Sequence, residues 1–134
     1  MLAHFAVTCA LTGLIWTIQI VQYPLFDRVG RDAFPLWHAA YTAAITRVVA
    51  PLMLVELCGA LWLVGWAGHR EPAFLTSLAP LATVWIATAI VQVPLHNRLA
   101  RGFDPASHLR LVRSNWLRTL AWTLRTGLLY TLLA

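Results

Sequence analysis

The sequence predicts an all-α fold, namely a transmembrane four-helix bundle built from two tandem helical hairpins. Sixty per cent of the residues are apolar, and the apolar runs are longer than the core helices of soluble proteins. The chain also contains an internal repeat, because two stretches align without a gap at an offset of 70 residues. Nine identical pairs define the repeat: Ile20/Ile90, Val21/Val91, Gln22/Gln92, Pro24/Pro94, Leu25/Leu95, Arg28/Arg98, Arg31/Arg101, Pro35/Pro105 and His38/His108.

The length of the repeat predicts how its two halves are related. Each half contains two helices, so both halves cross the membrane in the same order, and a pseudo-twofold axis along the membrane normal relates them. We therefore predict a single transmembrane domain over residues 1–134, with one hairpin in residues 1–70 and the second in residues 71–134. Residues 70 apart are then expected to lie at the same depth.

The first hairpin contains predicted helices 1 and 2. Helix 1 is placed at about residues 2–23, because this run lacks Asp, Glu and Arg and is long enough to cross the hydrocarbon core. Pro24 is expected to end or kink it, since proline lacks a backbone N–H. Helix 2 is placed at about residues 38–67, with a kink at Pro51.

The second hairpin contains predicted helices 3 and 4. Helix 3 is placed at about residues 75–93 and is expected to end at Pro94. Helix 4 is placed at about residues 105–134, with Asp104 as its N-cap and Pro105 in its first turn.

The charged residues predict partners and orientation. All ten basic residues are arginines, and most flank the apolar runs, which is typical of membrane proteins and disfavours nucleic acid as a partner. Only Arg70 lies between helices 2 and 3, so we expect both termini outside the cytoplasm, in a bacterial inner membrane. The connectors after helices 1 and 3 hold six arginines: Arg28, Arg31, Arg98, Arg101, Arg110 and Arg113.

Two ionisable residues lie near the middle of predicted spans, Glu56 in helix 2 and Arg125 in helix 4. An isolated charge at that depth costs at least about 2.5–3.5 kcal/mol, so such groups usually pair inside the bundle. We predict a Glu56–Arg125 ion pair, or a neutral Glu56 that is hydrogen-bonded in a cavity. Either arrangement is compatible with a structural or a functional role.

The repeat predicts two polar pairs that face each other across the bundle, His38 with His108 and Gln22 with Gln92. Two facing imidazoles are a candidate metal site, or a candidate pair of axial ligands for a haem. Alternatively, each histidine only caps a helix or forms a hydrogen bond at a helix interface.

Helix 4 carries a polar stripe, which predicts a pocket. Polar faces in lipid turn toward the bundle interior, so we expect a pocket between helices 2 and 4, closed by the ends of helices 1 and 3. Trp85 and Trp122 lie deep enough to stack on a flat ligand there. The stripe consists of His108, Asn115, Arg118, Thr119, Trp122, Arg125 and Thr126.

Two short motifs resemble a known family. The segment VPLHNRL at residues 93–99 and the segment NWLR at residues 115–118 are similar to the anthrone-oxygenase-like family of small four-helix membrane proteins. The resemblance implies oxidation of a hydrophobic polycyclic phenol by dioxygen, without an obvious organic cofactor.

That chemistry needs a base for a ring-carbon proton and donors for the resulting oxyanion. On this chain the resemblance implies His108 or His96 as the base. It implies Asn97, Asn115 and Arg118 as the oxyanion donors.

A second class of function fits the same residues. The chain can be a non-catalytic subunit of a larger membrane complex, or a bundle that holds a haem, quinone, pigment or lipid. The expected partners are therefore the lipid bilayer and a hydrophobic small molecule, with a homo-oligomer or a larger complex as further alternatives.

Overall fold

A computed structural model describes residues 1–134 as four helical rods without any β-strand, which confirms the predicted all-α four-helix bundle. Helix 1 spans Leu2–Arg28 and helix 2 spans Phe34–Gly65. Helix 3 spans Pro72–Leu99, and helix 4 spans Pro105–Tyr130. The predicted internal twofold symmetry stays a prediction.

Helix 4 is the central element of the bundle. It packs against helices 1 and 3 along much of its length, whereas helix 2 packs mainly on helix 1. Leu11 and Ile15 of helix 1 and Leu111 and Trp122 of helix 4 all belong to the main apolar core. Helix 2 is therefore the least enclosed rod, and a gap separates part of it from helix 3.

Helix 1 continues through Pro24, which was expected to end or kink it, and helix 3 continues through Pro94, which was expected to end it. In helix 1 a π-helical turn at Ile18–Gln22 precedes Pro24, and a 3₁₀ segment then runs to Arg28. In helix 3 a π-helical turn at Thr88–Gln92 precedes Pro94, and α-helix resumes to Leu99. Proline lacks the backbone N–H that an α-helical hydrogen bond needs at its position. The π-helical turn before it has a different hydrogen-bond pattern, and the helix continues past the proline.

Helices 2 and 4 begin at prolines, as proline's fixed φ favours. Helix 2 starts four residues earlier than predicted, at Phe34, with Pro35 in its first turn, and it contains Pro51 as predicted. The Asp104 side chain accepts a 2.8 Å hydrogen bond from the Ser107 backbone N–H, which confirms the predicted N-cap. The Ser107 hydroxyl and this backbone N–H lower the pKa of Asp104 below its ordinary value.

Three helices are long and apolar enough to cross a membrane, namely helices 1, 2 and 3, and they support a membrane protein. Helix 4 falls outside this group because arginines interrupt its apolar residues, although its long buried face packs inside the bundle. Its crossing and the orientation of the termini stay predictions.

Candidate functional site

A cavity of about 520 Å³ opens between helices 2 and 3. Helices 1 and 4 contribute only Ile18, Tyr23 and Arg118 to its wall. The prediction of a pocket between helices 2 and 4 is therefore corrected, because helix 4 packs closely against helices 1 and 3 and leaves the space beside helix 2. Helix 2 contributes His38, Tyr41, Thr42, Ile45, Thr46, Val49, Ala50, Met53 and Leu54, and helix 3 with the following residue contributes Trp85, Thr88, Gln92, Val93, His96, Asn97 and Ala100.

The cavity wall changes from polar to apolar along its length. On helix 2 the lining residues near its first turns are His38, Tyr41 and Thr42, whereas Met53 and Leu54 lie several turns farther along. Helix 3 runs the opposite way and places His96 and Asn97 at the same polar end. The cavity therefore offers hydrogen-bonding groups at one end and hydrocarbon at the other.

Three side chains at the polar end form a hydrogen-bonded chain. The Tyr23 hydroxyl lies 3.0 Å from His96 Nε2, and His96 Nδ1 lies 3.0 Å from His38 Nε2. His38 is 1% exposed, and its Nδ1 has no partner in the protein. A proton can move along such a chain by exchange between neighbouring donors and acceptors.

This chain corrects the predicted pairing of His38 with His108. His108 Nε2 instead lies 2.8 Å from the backbone oxygen of Tyr23, and His38 and His108 both pack against Phe26. A carbonyl oxygen only accepts, so His108 Nε2 carries the hydrogen and the lone pair of the ring lies on Nδ1. The two histidines therefore have different partners, and no group of three or more His, Cys, Asp or Glu side chains could hold a metal ion. The predicted metal or haem site at His38 and His108 stays a prediction.

Arg118 lies in the cavity wall without an acidic partner. The residue is 5% exposed, and its hydrogen bond runs from one terminal nitrogen to Asn115 Oδ1 at 3.0 Å. Its Nε is buried and has no partner. The interior holds a single acidic residue, Glu56, which pairs with a different arginine. The cavity is therefore positively charged.

Four of the five buried side-chain atoms without hydrogen-bond partners belong to residues of the cavity wall. Buried polar groups in folded proteins are usually paired, so such a concentration distinguishes this cavity from the rest of the interior. The four atoms are His38 Nδ1, Trp85 Nε1, Gln92 Oε1 and Arg118 Nε.

The predicted Glu56–Arg125 ion pair is present, with Arg125 Nε 2.5 Å from Glu56 Oε1. Arg125 also donates to the backbone oxygen of Ser77 at 2.6 Å, to its hydroxyl at 2.9 Å, and to His4 Nε2 at 3.1 Å. Thr8 donates to Glu56 as well. These five residues form the Arg125 cluster, in which the guanidinium is fully buried and satisfied.

The predicted site residues divide between the cavity and the packed core. His96, Asn97 and Arg118 line the cavity, whereas His108 and Asn115 do not. Asn115 is buried and donates to Gln19 Oε1 at 2.9 Å, which leaves its own oxygen for Arg118.

The two remaining predicted contacts have other partners. Gln22 accepts a 2.7 Å hydrogen bond from the Tyr41 hydroxyl, whereas Gln92 donates to Ser114 at 3.1 Å, so they do not pair with each other. Trp85 lines the cavity, and Trp122 is buried in the core instead.

The sequence interpretation missed Gln19, Tyr23 and Tyr41. Gln19 and Tyr23 are four residues apart and both buried on the inner side of helix 1. Their i, i+4 spacing marks one helical face, and this spacing was the available signal. Tyr41 falls within predicted helix 2, where no role was assigned to it.

Comparison with protein families, curated proteins and solved structures gives no match for this chain.

Proposed function

We propose that this membrane protein binds a hydrophobic small molecule in the cavity between helices 2 and 3, through a negatively charged or strongly accepting oxygen. Arg118 is the observation that carries the proposal, because its guanidinium is buried in the cavity wall with a free Nε and without a carboxylate.

A buried guanidinium without a counter-charge is energetically unfavourable. A guanidinium loses its hydration on burial and needs hydrogen bonds or an opposite charge in return. A ligand oxygen at Arg118 supplies both, and the low dielectric of the surroundings strengthens the interaction. The apolar half of the wall then holds the body of the ligand, as in ligand sites that combine an apolar lining with a few polar anchors.

The test compares binding of two apolar carboxylates, decanoate and anthracene-9-carboxylate, to purified protein in nanodiscs. We expect at least one of them to bind, and Arg118→Gln to weaken that binding by about tenfold, as expected for loss of a charge-assisted hydrogen bond. Arg113→Gln is the matched control, since Arg113 lies on the same helix and is exposed. Equal affinity of both variants for both probes contradicts the proposal.

A second candidate function adds chemistry to the same site. The Tyr23–His96–His38 chain favours acid–base catalysis, and the resemblance to anthrone oxygenases suggests a reaction. His96 would take a proton from an activated ring methylene, and Arg118 would hold the resulting oxyanion. Dioxygen then converts the methylene to a carbonyl, with one oxygen atom leaving as water.

Oxygen uptake with anthrone as substrate tests this reaction. Catalysis predicts one dioxygen consumed per anthraquinone formed above the spontaneous rate, and loss of that excess in His96→Gln. The matched control is His69→Gln, because His69 lies in the turn between helices 2 and 3, outside the cavity wall. If His96→Gln leaves the rate of oxygen uptake unchanged, the protein binds its ligand without catalysing this reaction.

A further inference from the structure

We infer that the ligand is a single-chain lipid with a carboxylate head, which lies along helix 2 with its head near His38 and its tail near Leu54. The inference rests on the proposed binding function and narrows it, because it chooses an extended chain over a polycyclic ring system. Four features of the cavity carry it: its length, its polarity, its opening and the unpartnered Nε of Arg118.

The cavity is long in the direction of the helix axis. Its lining on helix 2 runs from His38 to Leu54, a separation of sixteen residues, which corresponds to about 24 Å at 1.5 Å per residue. With a volume of about 520 Å³, a space of this length is a slot. An extended chain fills such a slot along its length, whereas a compact ring system occupies only part of it.

The polarity of the slot sets the direction of the chain. His38 lies near the first turn of helix 2, close to the end of that span, and Leu54 lies toward its middle. A lipid in a bilayer likewise has its polar head near the interface and its tail in the hydrocarbon. Polarity therefore decreases along the slot in the same direction as it decreases from the membrane interface to the hydrocarbon core.

The opening of the slot faces the hydrocarbon. Leu54 is 53% exposed and Val93 is 48% exposed, and both line the cavity from opposite sides. Both also belong to helices that are apolar enough to span the membrane. A lipid can therefore move sideways between helices 2 and 3 without passing through water.

The unpartnered Nε of Arg118 favours a carboxylate. One terminal nitrogen donates to Asn115, whereas Nε is buried and has no partner. Nε and the second terminal nitrogen lie on one side of the guanidinium and match the two oxygens of a carboxylate. A single arginine also suits a head with a single negative charge.

The experiment uses palmitate analogues that carry a photoreactive diazirine next to either the carboxylate or the methyl end. The full-length protein is labelled in phosphatidylcholine nanodiscs, and crosslinked peptides are identified by mass spectrometry. We expect the carboxylate-end probe to label residues 38–42 and 96–100, and the methyl-end probe to label residues 50–54 and Trp85. Labelling of the same residues by both probes, or in the reverse order, overturns the inference.

Two variants make the result specific. Arg118→Gln should weaken palmitate binding by about tenfold, while Arg113→Gln should not. Ala50→Trp places a large ring in the apolar half of the slot, so it should weaken binding of palmitate but spare octanoate, whose chain is too short to reach that half. Equal effects on both fatty acids overturn the inference, and circular dichroism verifies that each variant is folded.

The outcomes separate this inference from the proposed function. If anthracene-9-carboxylate binds with dependence on Arg118 but palmitate does not label the slot, the lipid inference fails and the proposed function stands. If neither compound binds with dependence on Arg118, both fail.

Discussion

Helix 4 buries two arginines only seven residues apart, and their surroundings differ. Arg125 contacts Glu56, Ser77 and His4 and has a partner on each guanidinium nitrogen. Arg118 donates to Asn115, has no acidic partner and keeps an unpartnered Nε in the wall of a cavity. Burial of a charge is therefore no guide to its role. The partners of the charge distinguish an arginine that holds helices together from one that is available to a ligand.

The largest expected effect is on the Arg125 cluster. Glu56→Leu should lower the free energy of unfolding by about 3–5 kcal/mol, because it leaves a buried guanidinium without its counter-charge. Glu56→Leu combined with Arg125→Leu should recover most of that loss, since an apolar pair can replace a buried ion pair at little cost. Equilibrium unfolding in mixed micelles, followed by circular dichroism, measures both. A double variant as unstable as the single one would mean that the pair is not the stabilising unit.

The next effect tests the packing around the same cluster. A methyl group added at Gly59 would lie 2.8 Å from His4 Nδ1, so Gly59→Ala should displace the imidazole that accepts from Arg125. We expect a loss of about 1–3 kcal/mol, as for other overpacked sites. Gly13→Ala is the matched control, because nothing lies near its added methyl group and helical alanine is favourable. Equal unfolding midpoints for the two variants would show that His4 yields freely.

A smaller effect is expected at Arg118 in the ligand-free protein. Arg118→Leu removes an uncompensated charge but leaves the Asn115 oxygen without a donor, so the two changes oppose each other. We expect the free energy of unfolding to change by less than about 1.5 kcal/mol, which is the usual range for one hydrogen bond. A loss as large as that of Arg125→Leu, measured in the same micelles, would remove the contrast between the two sites.

The smallest expected effect is on the pH dependence of stability, through the Asp104 N-cap of helix 4. This helix carries both Arg118 and Arg125. The Ser107 hydroxyl and backbone N–H lower the pKa of Asp104, so the ionised cap stabilises the fold at neutral pH. That contribution is lost as pH falls below the ordinary value of 3.8 and through the lowered value. Asp104→Asn keeps the cap acceptor but does not titrate, so its unfolding midpoint should fall less between pH 5 and about pH 2. Parallel curves for both proteins would exclude this linkage.

Sequence reasoning predicted the Arg125 cluster better than the cavity, for a physical reason. The membrane makes an unpaired charge expensive, and only one acidic residue lies at the depth of Arg125, so the pairing with Glu56 followed. The partner of His38 depends on how each helix is rotated about its axis. The repeat predicted His108 there, but the rotation of helix 3 about its axis places His96 against His38 instead.

The predicted position of the cavity, between helices 2 and 4, was wrong for a related reason. The polar stripe of helix 4 was expected to line a pocket, but two of its residues, Asn115 and Thr119, form hydrogen bonds with Gln19 instead. Sequence alone identifies the polar face of a helix, whereas the residue that meets it on the neighbouring helix depends on packing. His96, Asn97 and Arg118 were nevertheless recognised as candidate site residues, and all three line the cavity.

The π-helical turn at Thr88–Gln92 makes the site sensitive to the number of residues in helix 3. A π-helical turn contains one residue more than an α-helical turn at the same position in the helix. Deletion of Ala89 would therefore allow ordinary α-helix through this region and would leave everything after it in nearly the same orientation, so His96 should keep its contact with His38. Deletion of Ala82, in the regular α-helix before the turn, would instead rotate everything after it by about 100°. His96 would then point away from His38, although every side chain of the site is still encoded. The first deletion should keep the Tyr23–His96–His38 contact, and the second should abolish it.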